Sequence, residues 1–163
     1  MNIISQIENL RQLTYELLNL GMDGSPIYSD YSDRFVRLNK DVLIQSDTLF
    51  LLKSRSTLEE AYLCLALLNG YSATIYDCGD KERKKQVILD RFWEILDQLP
   101  ASLLKCQILI ACYAEVFDEN LAQEVHAIIN SWGHRELSED EKEIIRNLRE
   151  LEKKQYPNSE IIE

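Results

Sequence analysis

The chain has 163 residues, of which 45% are hydrophobic and 28% charged, the ordinary balance of a globular domain able to bury a core without a disulfide or metal staple. Its net charge of −10 disfavours a protein that works by gripping phosphate, because that affinity comes from Lys and Arg displacing counterions. No apolar run approaches the roughly 20 residues needed to span a bilayer, and MNIISQIENLRQ lacks a cationic start with an apolar core, so a cytoplasmic location and no membrane contact are expected.

Apolar residues recur at helical spacing almost throughout. Ile3, Ile7, Leu10, Leu13, Leu17 and Leu20 share one face of a first helix, which Gly21 is placed to close. A Gly-, Pro- and Asp-rich loop follows from Met22 to Tyr31. A second helix starts near Ser32 or Asp33 and carries Phe35, Leu38, Val42, Leu49 and Leu52 inward, with Gln45 a lone polar residue on the same stripe. Thr57 with Glu60 reads as a capping box for a third helix bearing Leu58, Ala61, Tyr62, Leu65 and Leu68, which Gly70 is expected to stop. The stretch YSATIYDCGDKE mixes strand formers with turn residues and reads as an irregular link or short extra helix.

A fourth helix spans Lys81 to Leu99, with Ile88, Leu89, Phe92, Ile95 and Leu96 facing inward. The basic run Lys81, Arg83, Lys84 and Lys85 stands at its start, against the helix dipole, so solvation of these charges is expected. Pro100 suits the first turn of a fifth helix, SLLKCQILIACYAEVF, which is apolar nearly all round and therefore central. Asp118 can cap a sixth helix that ends at Gly133, and Ser138 with Glu141 forms a second capping box before a seventh. The acidic tail, residues 156–163, is expected to fray. The expectation is an all-α fold: one domain over 1–155, an irregular bundle of about seven helices with short connections.

Chemistry is sparse. No phosphate-cradling loop, nucleophile elbow or HExxH helix occurs, and there are only two histidines. The four cysteines are separated by 13, 27 and 5 residues without a CxxC pair, so buried reduced thiols are expected in place of a metal site. Cys106 and His126 stand on neighbouring predicted helices, but the apolar run QILIAC points to an inert, buried sulfur. Glu59 and Glu60 diverge by about 100° round a helix and read as solvated charges. Trp93 and Trp132 are assigned to the core, whereas Tyr71 and Tyr76 flank the irregular link and are expected to be exposed. No enzyme activity, cofactor or metal is predicted, and an acidic helical domain of this kind reads as a protein-binding module.

Several strings go beyond generic helix: GMDGSPIY, LALLNGYSATIYDCGDKE, LPASLLKCQ, EVFDENLAQEVHAIINSW and RELSEDEKE. Together they make most of the chain resemble the UpxZ family of Bacteroides. The resemblance implies a regulator of capsular polysaccharide synthesis that acts in trans against UpxY proteins, NusG-like transcription antiterminators encoded at other capsule loci. It brings no catalytic or ligand residues with it. Partner contact is expected around Tyr71, Tyr76, Lys81, Arg83, Lys84 and Lys85, with the loop from Met22 to Tyr31 as the alternative. A helical adaptor with no role in transcription is the competing reading from composition alone.

Overall fold

The computed structural model describes residues 2–20 and 29–155, with side chains placed at 2–20 and 33–154. Among these residues all regular elements are helices: α1 (Ile3–Leu18), α2 (Ser29–Phe50), α3 (Thr57–Ala73), α4 (Lys81–Ile95), α5 (Leu103–Val116), α6 (Glu119–Ser131) and α7 (Glu139–Gln155). A single 3₁₀ turn, Leu96–Gln98, follows α4. The fold is all-α, as the helical periodicity requires. The chain groups into two compact units, Met1–Ile95 and Leu96–Glu163.

In the first unit, α3 packs against α1, α2 and α4, and α1 also packs on α2. Its composition explains the central place. Ala61, Leu63, Cys64, Ala66, Leu67, Leu68, Gly70 and Tyr71 are all buried, and small residues among large ones let several helices approach one axis. Gly70 does not stop α3, which continues to Ala73. A Cβ at Gly70 would stand 2.6 Å from Ser46 Oγ and 3.3 Å from Leu10 Cδ1, so the missing side chain is what lets α1 and α2 close on α3.

Local signals are displaced by a residue or two in this half. The cap of α3 is Ser56, whose Oγ accepts from the Glu59 amide at 3.1 Å, while Glu59 Oε1 accepts from the Arg55 amide at 2.9 Å. The SxxE pattern thus lies one position before the Thr57 and Glu60 pair, leaving Glu60 for another role. Helix α2 begins at Ser29, three residues before Ser32, and ends at Phe50, so Leu52 lies beyond it. Its buried residues include the polar Asn39 and Ser46 beside Leu38, Val42 and Leu49, while Gln45 is only half-buried. Gly21 and most of the Met22 to Tyr31 loop lie outside the described residues.

In the second unit, α5 packs against both α6 and α7. Cys106, Ile108, Leu109, Cys112 and Tyr113 are fully buried on it, as expected for a helix apolar all round. Its cap is Ser102, accepting from the Lys105 amide at 3.2 Å, and Pro100 therefore precedes the helix instead of opening it. Phe117 ends α5 in the left-handed region, φ 50°, with its amide donating to Tyr113 O at 2.8 Å. Its ring meets Tyr113 edge-on at 5.3 Å, a contact that offsets the strain of a non-glycine residue there. Asp118 caps α6 through the Asn120 amide, and Gly133, at φ +63°, closes it. The second capping box forms in full: Glu141 N donates to Ser138 Oγ at 3.2 Å and Ser138 N to Glu141 Oε1 at 2.9 Å. The acidic tail lies outside the described residues.

Candidate interaction surface

The link between α3 and α4 is irregular, as its mixed composition implies, and it is fastened to α2 by polar groups. Asn39 is fully buried. Its Nδ2 donates to Phe35 O at 2.8 Å, its Oδ1 accepts from the Ile75 amide at 2.8 Å, and its own carbonyl accepts from Thr74 Oγ1 at 2.9 Å. Lys81 Nζ donates to Thr74 O across the same link. Asp77 Oδ1 accepts from the Gly79 amide at 2.7 Å and gives the link an Asx turn.

Two turns of helix further along α2, Asp47 gathers two partners. Tyr71 Oη donates to Asp47 Oδ1 at 2.6 Å, and Lys84 Nζ donates to the same oxygen at 2.8 Å and lies 3.2 Å from Asp80 Oδ2. The ammonium also sits 5.6 Å from the Phe50 ring centre and 5.9 Å from that of Tyr71. The Asp47 hydrogen bond holds the Lys84 ammonium above its ordinary pKa, against the effect of desolvation. Burial, then the bond to Asp47, pushes the Tyr71 phenol well above its usual value.

This geometry corrects several expectations. Tyr71 is 1% exposed and structural. The Lys84 and Lys85 side chains are 14% and 12% exposed, so the basic run is not uniformly solvated: only Arg83, at 64%, points freely to water while pairing loosely with Asp80. Tyr76 and Lys81 are half-buried, and Ile75 between the link's anchors is exposed. The tryptophans also depart from a core assignment, with Trp93 41% exposed and Trp132 half-buried under the Arg135 guanidinium.

Glu60 is not a solvated charge. Arg91 grips it with a fork, Nε to Oε2 at 2.9 Å and Nη2 to Oε1 at 2.5 Å, and Ser54 Oγ donates to Oε1 at 2.7 Å. Burial alone would raise the Glu60 carboxyl, but the Arg91 and Ser54 bonds outweigh it and hold the pKa below 4.5. An open dent of about 490 Å³ lies between this pair and the Phe50–Ser54 turn.

No activated group emerges from these clusters. Burial pushes the Cys64 thiol up to about 12 and the Cys106 thiol up to about 11, the opposite of what a nucleophile requires. His126 Nε2 instead meets Glu152 at 3.0 Å. Among the described residues no three His, Cys, Asp or Glu side chains gather to hold a metal, and no helix is long and apolar enough to cross a membrane. What distinguishes the first unit is its surface: Ile4, Tyr15, Leu18, Val36, Ile44, Leu51, Leu58, Tyr62, Ile75 and Trp93 are exposed large apolar residues, whereas only Val116 is so among the described residues of the second.

A helical chain that locks its polar groups into structural clasps and leaves apolar side chains outside has the features of a regulatory binding protein. Comparison with known families places it more closely. The family model of UpxZ transcription anti-terminator antagonists matches residues 7–114. The crystal structure of a transcription anti-terminator antagonist UpxZ from Bacteroides uniformis superposes with a TM-score of 0.84, at 50% sequence identity over 98% of each chain. Comparison with curated proteins returned no match. The chain belongs to the UpxZ family of transcription anti-terminator antagonists.

Proposed function

We propose that this chain acts in the cytoplasm as a trans-acting inhibitor of NusG-like UpxY antiterminators, and that it does so by binding them directly. The consequence is restricted expression of competing capsular polysaccharide loci. The observation that carries the reading is the concentration of exposed apolar side chains on the first unit, nearly all of which lies within the matched family segment. An exposed apolar surface on a regulatory protein is most economically explained by a macromolecular partner. Contact is assigned to the accessible part of the link and the start of α4, with Tyr76, Lys81 and Arg83 reaching the partner. Tyr71, Lys84 and Lys85 support that surface from beneath, since their side chains are largely or wholly covered.

The charge distribution favours one other mechanism. Residues 96–163 carry 14 acidic against 7 basic side chains, so the second unit could imitate nucleic acid on a basic face of the antiterminator. Co-purification of the chain with a panel of UpxY proteins, without RNA and at low and high salt, decides between them. Direct apolar docking gives a complex that survives high salt, whereas mimicry gives one that dissociates steeply as salt rises. Absence of any complex with non-cognate UpxY proteins overturns direct binding. Undiminished antagonism after joint replacement of Tyr76 and Arg83 by Ala overturns the assigned contact.

A further inference from the structure

Helix α2 carries, on its outer side, a second feature that sets it apart from the rest of the first unit. Val36 and Ile44, 47% and 59% exposed, lie two turns apart, and Leu51, 80% exposed, follows two turns later just past the helix end. Residues spaced by seven or eight share one side of a helix, so these three make a broken apolar stripe turned away from Leu38, Val42 and Leu49. Lys40 stands one turn from both Val36 and Ile44, and Arg37 stands two turns before Ile44.

The cations beside this stripe differ from their neighbours in one respect. Elsewhere in the first unit each described cationic side chain has a partner: Arg11 with Glu8, Lys84 with Asp47, Arg91 with Glu60 and Lys81 with the Thr74 carbonyl, and, more loosely, Arg55 with Glu59, Arg83 with Asp80 and Lys85 with Glu82. Arg34, Arg37, Lys40 and Lys53 form no ion pair among the described residues, although Asp33 and Asp41 stand on the same helix. Asp33, Asp41 and Asp47 each stand three residues from a member of the stripe, and of these Asp47 is already paired with Lys84. Residues 33–53 carry four cations against three carboxylates, a net +1 in a protein of net charge −10, and with Asp47 paired to Lys84 the uncommitted charge around the exposed apolar side chains is positive.

We infer that the outer face of α2 is a docking surface for an acidic protein partner, one whose apolar centre is bordered by Asp and Glu carboxylates. The inference rests on the direct-binding reading and adds to it the place and chemistry of the contact. Uncommitted cations give such a partner its attraction and orientation, while Val36, Ile44 and Leu51 supply the apolar centre. RNA fits the same face poorly, because branched aliphatic side chains do not stack on bases and the unit as a whole is not basic.

The test uses the full chain, purified UpxY antiterminators as probes and a structureless RNA as a second probe. Arg37→Glu with Lys40→Glu reverses the charge, Ile44→Asp breaks the stripe, and Arg146→Glu with Arg149→Glu on exposed positions of α7 is the control. All of these side chains except Ile44 are charged and all point to solvent, so thermal midpoints should match the parent; if Ile44→Asp loses stability, the charge-reversed variant decides alone. The expected result is a loss of antiterminator affinity of at least about tenfold for either α2 variant, equivalent to roughly 1.4 kcal/mol, and no change for the control. Parent binding that is unchanged in both α2 variants overturns this docking face and leaves direct binding standing. No binding by the parent removes the direct-binding reading and this inference with it. RNA retention that α2 charge reversal abolishes, with antiterminator affinity untouched, also overturns the inference.

Discussion

The two units solve the same packing problem with opposite placements of polar groups. In the first, polar side chains reach across long stretches of chain: Asn39 to Ile75, Asp47 to Tyr71 and Lys84, Glu60 to Arg91. In the second, most polar bonds are local caps, such as Asp118 with Asn120 and Ser138 with Glu141, with His126–Glu152 and Lys105–Glu124 as the longer ones. The surfaces invert this pattern, since apolar side chains are exposed on the first unit and acidic residues dominate the second. A satisfied buried polar group has one good geometry, whereas apolar contacts tolerate several. The unit that presents the apolar surface is therefore the one whose shape is most narrowly specified.

Breaking a long-range clasp should cost the first unit more than any surface change costs the second. Asn39→Ala removes the acceptor of the Ile75 amide and the side-chain donor to Phe35 O at a part-buried site, with an expected loss of roughly 2 to 3 kcal/mol in chemical denaturation. Hydrogen exchange should localise the damage to the link, and an unchanged Ile75 amide would contradict the clasp. Next in size is Arg91→Met. It leaves the Glu60 carboxylate half-buried without its fork, for about 2 kcal/mol after allowing for solvent, and the deficit should shrink at acid pH where Glu60 can protonate. Arg91→Lys should recover only part of the loss, because an ammonium cannot reproduce two parallel bonds. Gly70→Ala follows at about 1 to 2 kcal/mol, overpacking against Ser46 Oγ partly offset by better helix propensity. Ser46 Oγ is buried without a hydrogen-bond partner among the described residues, so Ser46→Ala in the same chain should restore most of that stability.

The asymmetry also explains what was legible in the sequence. Seven helices and the buried α5 could be read directly, because apolar periodicity and the Asp118 and Ser138 caps are local signals. The clasps of the first unit could not. Asn39 sits next to Leu38 in the sequence and looks like an ordinary surface amide; only the arrival of Thr74 and Ile75 from another part of the chain reveals its role. Gly70 looked like a stop because glycine at a helix end and glycine at a helix crossing are the same letter, and the Leu10 and Ser46 neighbours that distinguish them lie far away. Lys84 was misread for the same reason. Its charge suggested a solvated run, yet Asp47, 37 residues earlier, covers it. Of the expected contact residues, Arg83 is exposed, Tyr76 and Lys81 are half-buried, Lys84 and Lys85 are largely covered, and Tyr71 belongs to the interior.

The smallest effect separates the two modes by pH. The Arg135 guanidinium, then the Ser138 amide and hydroxyl, hold the Glu141 carboxyl down at about 2, against an ordinary 4.5. A depressed folded-state pKa means that the contribution is complete above pH 4.5 and is lost as pH falls toward 2. Because the cap is exposed and local, its loss should fray the first turn of α7 without a cooperative change elsewhere. Glu60 is also held below 4.5, but its partner lies 31 residues away, so its protonation should loosen the α3–α4 pairing as a whole. Side-chain carboxyl shifts followed by NMR during an acid titration distinguish the two. Amide changes confined to residues 138–142 should accompany Glu141, and changes spread over both α3 and α4 should accompany Glu60. In Arg135→Ala the Glu141 midpoint should move up toward 4.5 while that of Glu60 stays in place. A Glu141 midpoint already near 4.5 in the parent chain would mean that the local cap contributes nothing, and the contrast between stitched and capped units would then rest on the first unit alone.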